Sequence, residues 1–302
     1  LRARQQNPVR RFLLLVFSAF LLFPCLALAE TEKVKCGFSS TTLSNIDARD
    51  AEVALRVWLE QILKNEGVTW EFTTRVYDTT AELYDAYNEG NIDVAAVSTM
   101  EYLHLAEKKQ LEGEFTTEIS EKSMETMQML VRGDSGYQKL EQLQGKRLII
   151  DTRLAGENPV LWLCLELKKR GLPKADAFFR NVTVVKDPSK SALPVFFKTA
   201  DACIIREQGL QTLAELNPQI GKQLAPILTS PPYIRGVIAF RRGFDPDKRE
   251  TLRRSALKLH QSARGQQVLT LFKADRVIPL KPEHLLTTIQ LRDECRAMKI
   301  EP

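Results

Sequence analysis

The chain has 302 residues, 44% hydrophobic and 27% charged, the balance of an ordinary globular protein without low-complexity tracts. Its formal charge of +5 invites a nucleic-acid reading, but four arginines crowd the first eleven residues. Without them the charge falls to +1, which lacks the basic surplus a nucleic-acid face requires.

Arg2, Arg4, Arg10 and Arg11 precede an apolar run over 12–23, then Pro24 and Ala27-Leu28-Ala29. That order predicts a cleavable secretory signal peptide over 1–29 and a periplasmic product. The apolar run falls short of the ~20 residues of a membrane span, and no later stretch approaches that length. Phe23-Pro24 ahead of Cys25 make a poor lipobox, which disfavours lipidation and favours a freely diffusing protein.

From residue 30 onward, strand and helix patterns alternate, the signature of an α/β fold with largely parallel sheets. A strand over 34–38 leads to Ser39, Ser40 and Thr41. A helix over 47–65 follows, with Ala51, Ala54, Leu55, Trp58, Leu59 and Ile62 on one face. Next come a strand over 70–77, a helix opened by the capping box Thr79-Thr80-Ala81-Glu82 and ended at Gly90, and a buried strand over 92–97. Ser98 and Thr99 then start a helix reaching Lys108. Strands are expected over 115–120 and 125–132.

The pattern restarts with a strand over 147–151 and a helix with Asn158 as N-cap and Pro159 first inside, ending at Gly171. Strands over 182–185, 202–205, 225–229 and 237–240 alternate with helices over 191–198 and up to Leu216. Helices over 246–262, 266–272 and 283–298 finish the chain. Two units of similar size result: 30–130 with 235–302, and 131–234, joined by crossings near Val131 and Tyr233. This is the layout of a bilobal clamp, each lobe a mixed, mostly parallel sheet flanked by helices. Its ligand belongs beyond the carboxyl ends of the strands.

Several segments, in order, resemble the phosphonate/phosphate/phosphite-binding periplasmic proteins of ABC transporters. They are Asn88-Glu89-Gly90-Asn91-Ile92-Asp93-Val94-Ala95-Ala96-Val97 with Glu101-Tyr102-Leu103 behind it, Leu140 to Leu148 around Gly145-Lys146, Thr199-Ala200-Asp201-Ala202-Cys203, and Thr229-Ser230-Pro231-Pro232-Tyr233. The resemblance implies a type II periplasmic binding protein fold, a monomer, a small oxyanion ligand such as a phosphonate or phosphate, and delivery to an inner-membrane permease. It implies no enzyme activity, cofactor or metal. The same clamp would also serve a second reading, a sensor presenting its ligand to a membrane histidine kinase or cyclase. Two places depart from the family pattern. After the strand at 147–151 a hydroxyl-rich stretch is replaced by Thr152-Arg153-Leu154-Ala155-Gly156-Glu157-Asn158, and Lys190 in Asp187-Pro188-Ser189-Lys190-Ser191 stands where a histidine is expected.

An anion site needs N–H donors, hydroxyls and cations near helix N-termini. By that rule Ser39, Ser40 and Thr41 line the cleft or form a solvated loop, and Ser98 and Thr99 cap a helix, meet the ligand, or do both. Tyr102 stacks on ligand or packs at the lobe edge, and Tyr77 closes the second strand beside them. Thr152, Arg153, Asn158, Ser189 and Lys190 stand on the second lobe, with Arg suited to bidentate oxyanion contact. Arg206, just past an apolar strand, is the arginine to test first, and Ser230 and Tyr233 mark the second crossing. His104, His260 and His284 read as surface residues. GxSxG, HExxH and Walker A spacings do not occur. Cys36, Cys164, Cys203 and Cys295 form no CxxC pair, which disfavours zinc. Cys164 and Cys203 read as buried thiols, while an oxidising compartment leaves a disulfide open.

Overall fold

The computed structural model describes residues 32–43, 47–65, 67–108 and 110–300; the segment 1–29 lies outside them. Strand β1 (Lys33–Ser39) turns Val34, Cys36 and Phe38 into a core shared with Ala51, Leu55 and Leu63 of helix α1 (Ala48–Asn65). β2 (Glu71–Tyr77) leads to α2 (Thr80–Asn88). Its capping box is formed as the sequence spells it: Thr79 accepts from the Glu82 N–H and Glu82 answers with its carboxylate. Gly90 follows at φ +74, where a side chain would be strained. β3 (Val94–Ser98) is almost wholly buried, and Ser98 with Glu101 makes a second capping box at the head of α3 (Thr99–Glu107). β4 (Leu111–Glu118) completes this run.

The chain then passes through the two-residue strand β5 (Met124–Glu125) into β6 (Met127–Arg132), β7 (Arg147–Asp151), α4 (Asn158–Lys169), α5 (Ala175–Phe178), β8 (Asn181–Val185) and α6 (Pro188–Phe196). β9 (Ala202–Arg206), α7 (Glu207–Leu216), α8 (Pro218–Gln223) and β10 (Leu224–Thr229) follow. It returns through β11 (Tyr233–Ile234) to β12 (Gly236–Arg241), α9 (Pro246–Leu257), α10 (Ala263–Leu271), β13 (Arg276–Pro279) and α11 (Leu286–Ala297).

The first sheet has the order β13-β4-β12-β3-β1-β2 and the second β10-β6-β9-β7-β8. Among the described residues, parallel pairing is confined to β1–β2, β1–β3, β7–β8 and β7–β9, whose strands are joined through helices. The returning strands β4, β6, β10, β12 and β13 pair antiparallel. The sheets are therefore mixed, as expected, with more antiparallel pairing than helix–strand alternation implies. Between them β5 pairs β11 antiparallel, Tyr233 opposite Glu125, so both crossings share one short ribbon.

One strand escaped the residue patterning, one cap is corrected, and the last helix docks on the second sheet. β13, a four-residue edge strand ending in proline, left no clear sequence signal, because an edge position tolerates residues a central strand would not. Glu157, not Asn158, is the N-cap of α4, and its side chain makes no cap bond. α11 packs its Leu291 and Cys295 into the core of the second sheet, with Leu161, Trp162 and Leu165, rather than into the first. Residue patterning shows that α11 is amphipathic but not which sheet receives it.

Candidate functional site

The carboxyl ends of β1, β3 and β7 converge on one cleft, where the N-termini of α3 and α4 also end. On the first wall the Ser39 hydroxyl, fully buried, donates to Glu101 Oε1 at 2.9 Å and shares a 2.7 Å hydrogen bond with Thr41 Oγ1. The other Glu101 oxygen accepts the Ser98 N–H at 2.7 Å, while Ser98 Oγ accepts the Glu101 N–H at 3.3 Å. A single buried carboxylate thus ties the end of β1 to the head of α3. Thr99 is drawn the other way, its hydroxyl donating to Ile234 O at 3.1 Å in the crossing ribbon.

On the second wall the chain leaves β7 through buried Asp151, whose Oδ1 accepts the Arg153 N–H at 3.1 Å. The Thr152 N–H and hydroxyl both donate to Val185 O, at 2.9 and 3.3 Å. Arg153 donates from Nε to Lys186 O at 2.6 Å, and its Nη2 lies 3.7 Å from Asp187 Oδ2 with no hydrogen-bond partner although buried. Asn158 is 2% exposed and its Oδ1 also lacks a partner. Two unsatisfied polar groups on one wall are unusual, since buried polar atoms are normally paired.

The walls touch. The Leu154 N–H donates to Thr41 O at 2.9 Å from a left-handed backbone at φ +56, an uncommon conformation for leucine. Lys186 Nζ reaches Ser40 Oγ at 3.4 Å. Gly156 lies so close to Ser98 that a Cβ there would sit 2.9 Å from the serine Cβ and Oγ. Only about 30 Å³ remains open beside Leu154. A larger space, about 520 Å³, lies between α3, α4 and α11 against Glu101, His104, Lys108, Glu157, Arg292 and Arg296. A separate cavity of about 120 Å³ inside the first core is walled almost wholly by apolar side chains and offers an anion nothing.

The sequence-derived candidates divide accordingly. Ser39, Ser40, Thr41 and Ser98 assemble on one wall, and Thr152, Arg153 and Asn158 on the other. Ser189 and Lys190 lie in the first turn of α6, where the Ser189 N–H donates to the Asp187 cap at 2.9 Å and Lys190 is exposed; the lysine that reaches the first wall is Lys186. Tyr77 is buried in the first-sheet core with Leu83 and Ile92, and the Tyr102 hydroxyl accepts the Gly113 N–H of β4 at 3.2 Å. Ser230 accepts the Met127 N–H at 2.8 Å and donates to Pro231 O at 2.7 Å, while Tyr233 is buried in the second-sheet core. Arg206 pairs with Glu125 of β5, and Arg235 joins the same carboxylate from Nε at 2.9 Å. Of the histidines, His284 is buried, its Nδ1 accepting the Lys281 N–H at 3.1 Å.

Residues the sequence reading passed over are Glu101, Lys186, Leu154 and Gly156. Ser98-x-x-Glu101 is a readable capping box. Nothing in the sequence announces Leu154, whose conformation is imposed by the wall it meets.

Burial pushes the Asp151 carboxyl up to about 6, against the opposing pull of the Arg153 N–H and the Arg206 and Arg153 charges. Below about pH 4 both folded and unfolded chains carry it protonated. Between about 4 and 6 the unfolded chain ionises first, so this group's contribution to stability falls as pH rises, and above 6 the full penalty remains. Asp151→Asn should therefore raise Tm at pH 8 by an amount corresponding to about 1–3 kcal/mol, and leave it unchanged at pH 4. Melting curves at the two pH values check this, and an equal shift at both would refute it.

A family model described as the periplasmic phosphonate substrate-binding protein of ABC transporters matches residues 42–285. No curated protein matches by sequence. Among solved structures, an ATP-bound protein from Xanthomonas citri superposes with a TM-score of 0.69 at 16% identity, over 89% of this chain and 98% of that one. The binding protein component of an ABC phosphonate transporter from Pseudomonas aeruginosa gives 0.66 at 15%, over 89% and 88%. PhnD1 from Prochlorococcus marinus, in complex with methylphosphonate, gives 0.64 at 13%, over 89% and 98%. At such identities these likenesses speak to the fold, a type II periplasmic binding protein.

Proposed function

The chain belongs to the periplasmic phosphonate substrate-binding protein family of ABC transporters, and on that premise we propose that it closes two lobes over a small phosphonate- or phosphate-like oxyanion and hands it to the permease. The lobes are 30–130 with 235–302, less the last helix, and 131–234 with that helix added. Residues 1–29 serve export and are removed.

The observation that carries this reading is the second wall: the buried Nη2 of Arg153, 3.7 Å from Asp187 Oδ2, and the buried Oδ1 of Asn158 stand without hydrogen-bond partners beside the head of α4. An oxyanion satisfies Arg153 through charge-assisted bonds. It satisfies Asn158 with the amide turned so that its NH2 faces the ligand, an orientation set by hydrogen bonding rather than by shape. Opposite stands the Ser98 hydroxyl, whose oxygen accepts the Glu101 N–H and whose own proton faces no acceptor among the described residues of that wall, while the Ser39 and Thr41 protons are spent within the wall. Where the family pattern has a hydroxyl-rich loop, this chain uses a guanidinium.

A thermal-shift screen of phosphate, phosphite, methylphosphonate and alkylsulfonates tests the proposal, because a ligand that binds only the folded state raises Tm by mass action. At least one anion should give a shift. A flat screen, together with no lobe closure in solution scattering, overturns it. Arg153→Ala should weaken the responding anion by about 1.5–3 kcal/mol, the range for a hydrogen bond to a charged group. Calorimetric titration measures this; unchanged affinity would remove Arg153 from the site.

A further inference from the structure

Four cysteines lie in residues 30–302, and their surroundings differ. Cys36 and Cys203 are buried in separate cores, the first with Val34 and Leu55 and the second with Leu130 and Ile205. Cys164 and Cys295 instead sit on α4 and α11, two helices packed against each other. Cys164, expected to be a buried thiol, is only partly covered, whereas Cys295 is buried.

The contact between these helices is specific. Cys295 Sγ points at Leu161 O, 3.8 Å away, and Lys169 Nζ holds Glu294 Oε2 at 2.6 Å. Leu161 lies one turn before Cys164. A helical side chain leans toward the N-terminus and covers the turn before its own Cα. The patch that receives Cys295 is thus the patch Cys164 covers. The two thiols also sense each other: burial first, then Cys164, pushes Cys295 up to about 11.

We propose that Cys164 and Cys295 are a disulfide pair, closed when the protein meets a disulfide oxidant. The less buried partner reacts first: Cys164 thiolate attacks the disulfide of an oxidoreductase or of oxidised glutathione, forming a mixed disulfide and releasing one thiolate. Cys295 thiolate then displaces the second. Overall two thiols give up two protons and two electrons, and the oxidant's disulfide becomes two thiols. That such an oxidant is present rests on the export reading; the pairing itself does not.

The bond would fasten the last helix to α4. That helix also meets α3: Arg296 makes two hydrogen bonds to Glu107, at 2.7 and 2.8 Å, and Arg292 Nη1 lies 2.8 Å from the same carboxylate. With the cystine closed, α11 travels with the second lobe, and the Glu107 bridges are the ones that part when the clamp opens.

The test uses protein purified as residues 30–302, since Lys33–Pro302 forms one compact unit. It is reduced, then exposed to oxidised glutathione. Two of the four thiols should disappear, with a mass loss of about 2 Da and, in a digest made without reductant, a peptide joining Cys164 to Cys295. Tm should rise by several degrees and fall back with dithiothreitol. Cys164→Ser and Cys295→Ser should each abolish the effect, and Cys36→Ser should not. Four free thiols after oxidation, a link between any other pair, or glutathione adducts without a link would overturn the proposal. Protein that pairs in vitro but is recovered from cells fully reduced would support the pairing and count against export.

Discussion

Replacing Gly156 by valine should weaken ligand binding roughly 5- to 150-fold while leaving the free protein folded. Gly156 occupies φ +57 on the second wall, and a Cβ there would come within 2.9 Å of Ser98 Cβ and Oγ on the first. The backbone strain of a left-handed residue, about 1–2 kcal/mol, acts in every state of the clamp and lowers Tm modestly. The clash with Ser98 acts only when the walls meet. Overpacking of this kind costs about 1–3 kcal/mol, and a penalty confined to the closed form is subtracted directly from the free energy of closure on ligand. Calorimetry should show the loss in affinity, and solution scattering should show a liganded variant that stays more open. Gly156→Ala should fall between wild type and valine. Wild-type affinity in Gly156→Val would mean that the cleft does not close on ligand at this point.

The second large effect is expected at the crossing ribbon. Glu125→Ala should destabilise the protein by about 3–5 kcal/mol, because it leaves two buried arginines without a counter-charge. Arg206 and Arg235 are 8% and 9% exposed in their side chains, and both hydrogen-bond Glu125. Arg206 Nε also donates to Arg153 O at 3.0 Å, which links the ribbon to the second wall of the cleft. For a protein of this size the loss corresponds to a Tm lower by roughly 6–20 °C. Burial opposes ionisation of Glu125, but the charges and hydrogen bonds of Arg206 and Arg235 outweigh it and hold the carboxyl below the usual range. A depressed folded value means that its contribution is fully present above the unfolded value of about 4.3. It is lost as pH falls through the folded one. Glu125→Gln should therefore melt earlier than wild type at pH 7, and the difference should shrink in acid. If the gap is the same at pH 3 and pH 7, the pairing with arginine is not its source.

Arg206 illustrates how far residue patterning reaches. Its place at the end of an apolar strand was legible, and ends of strands face clefts in such folds. Its partner was not, since Glu125 is 81 residues away on a two-residue strand that only pairing with β11 defines. The same holds for Ser39, whose carboxylate partner lies 62 residues on. Tyr102 lies where the sequence puts it, in the second half-turn of α3, yet its hydroxyl is taken by Gly113. Arg153 and Asn158 were legible as residue types, but that one nitrogen and one oxygen stay without a hydrogen bond there is a property of the assembled wall.

What the sequence determined by itself was local: the capping box Thr79–Glu82 and the strand–helix alternation. Each depends on residues within a few positions of one another, so hydrogen-bond partners and apolar periodicity are visible in a short window. Sheet order, the antiparallel return strands, the pairing of Glu125 with two arginines, the left-handed Leu154 and the docking of the last helix on α4 were decided only by tertiary structure. Those features join groups far apart in the chain, where closure of long loops and burial of whole faces choose the partner and no local signal records the choice.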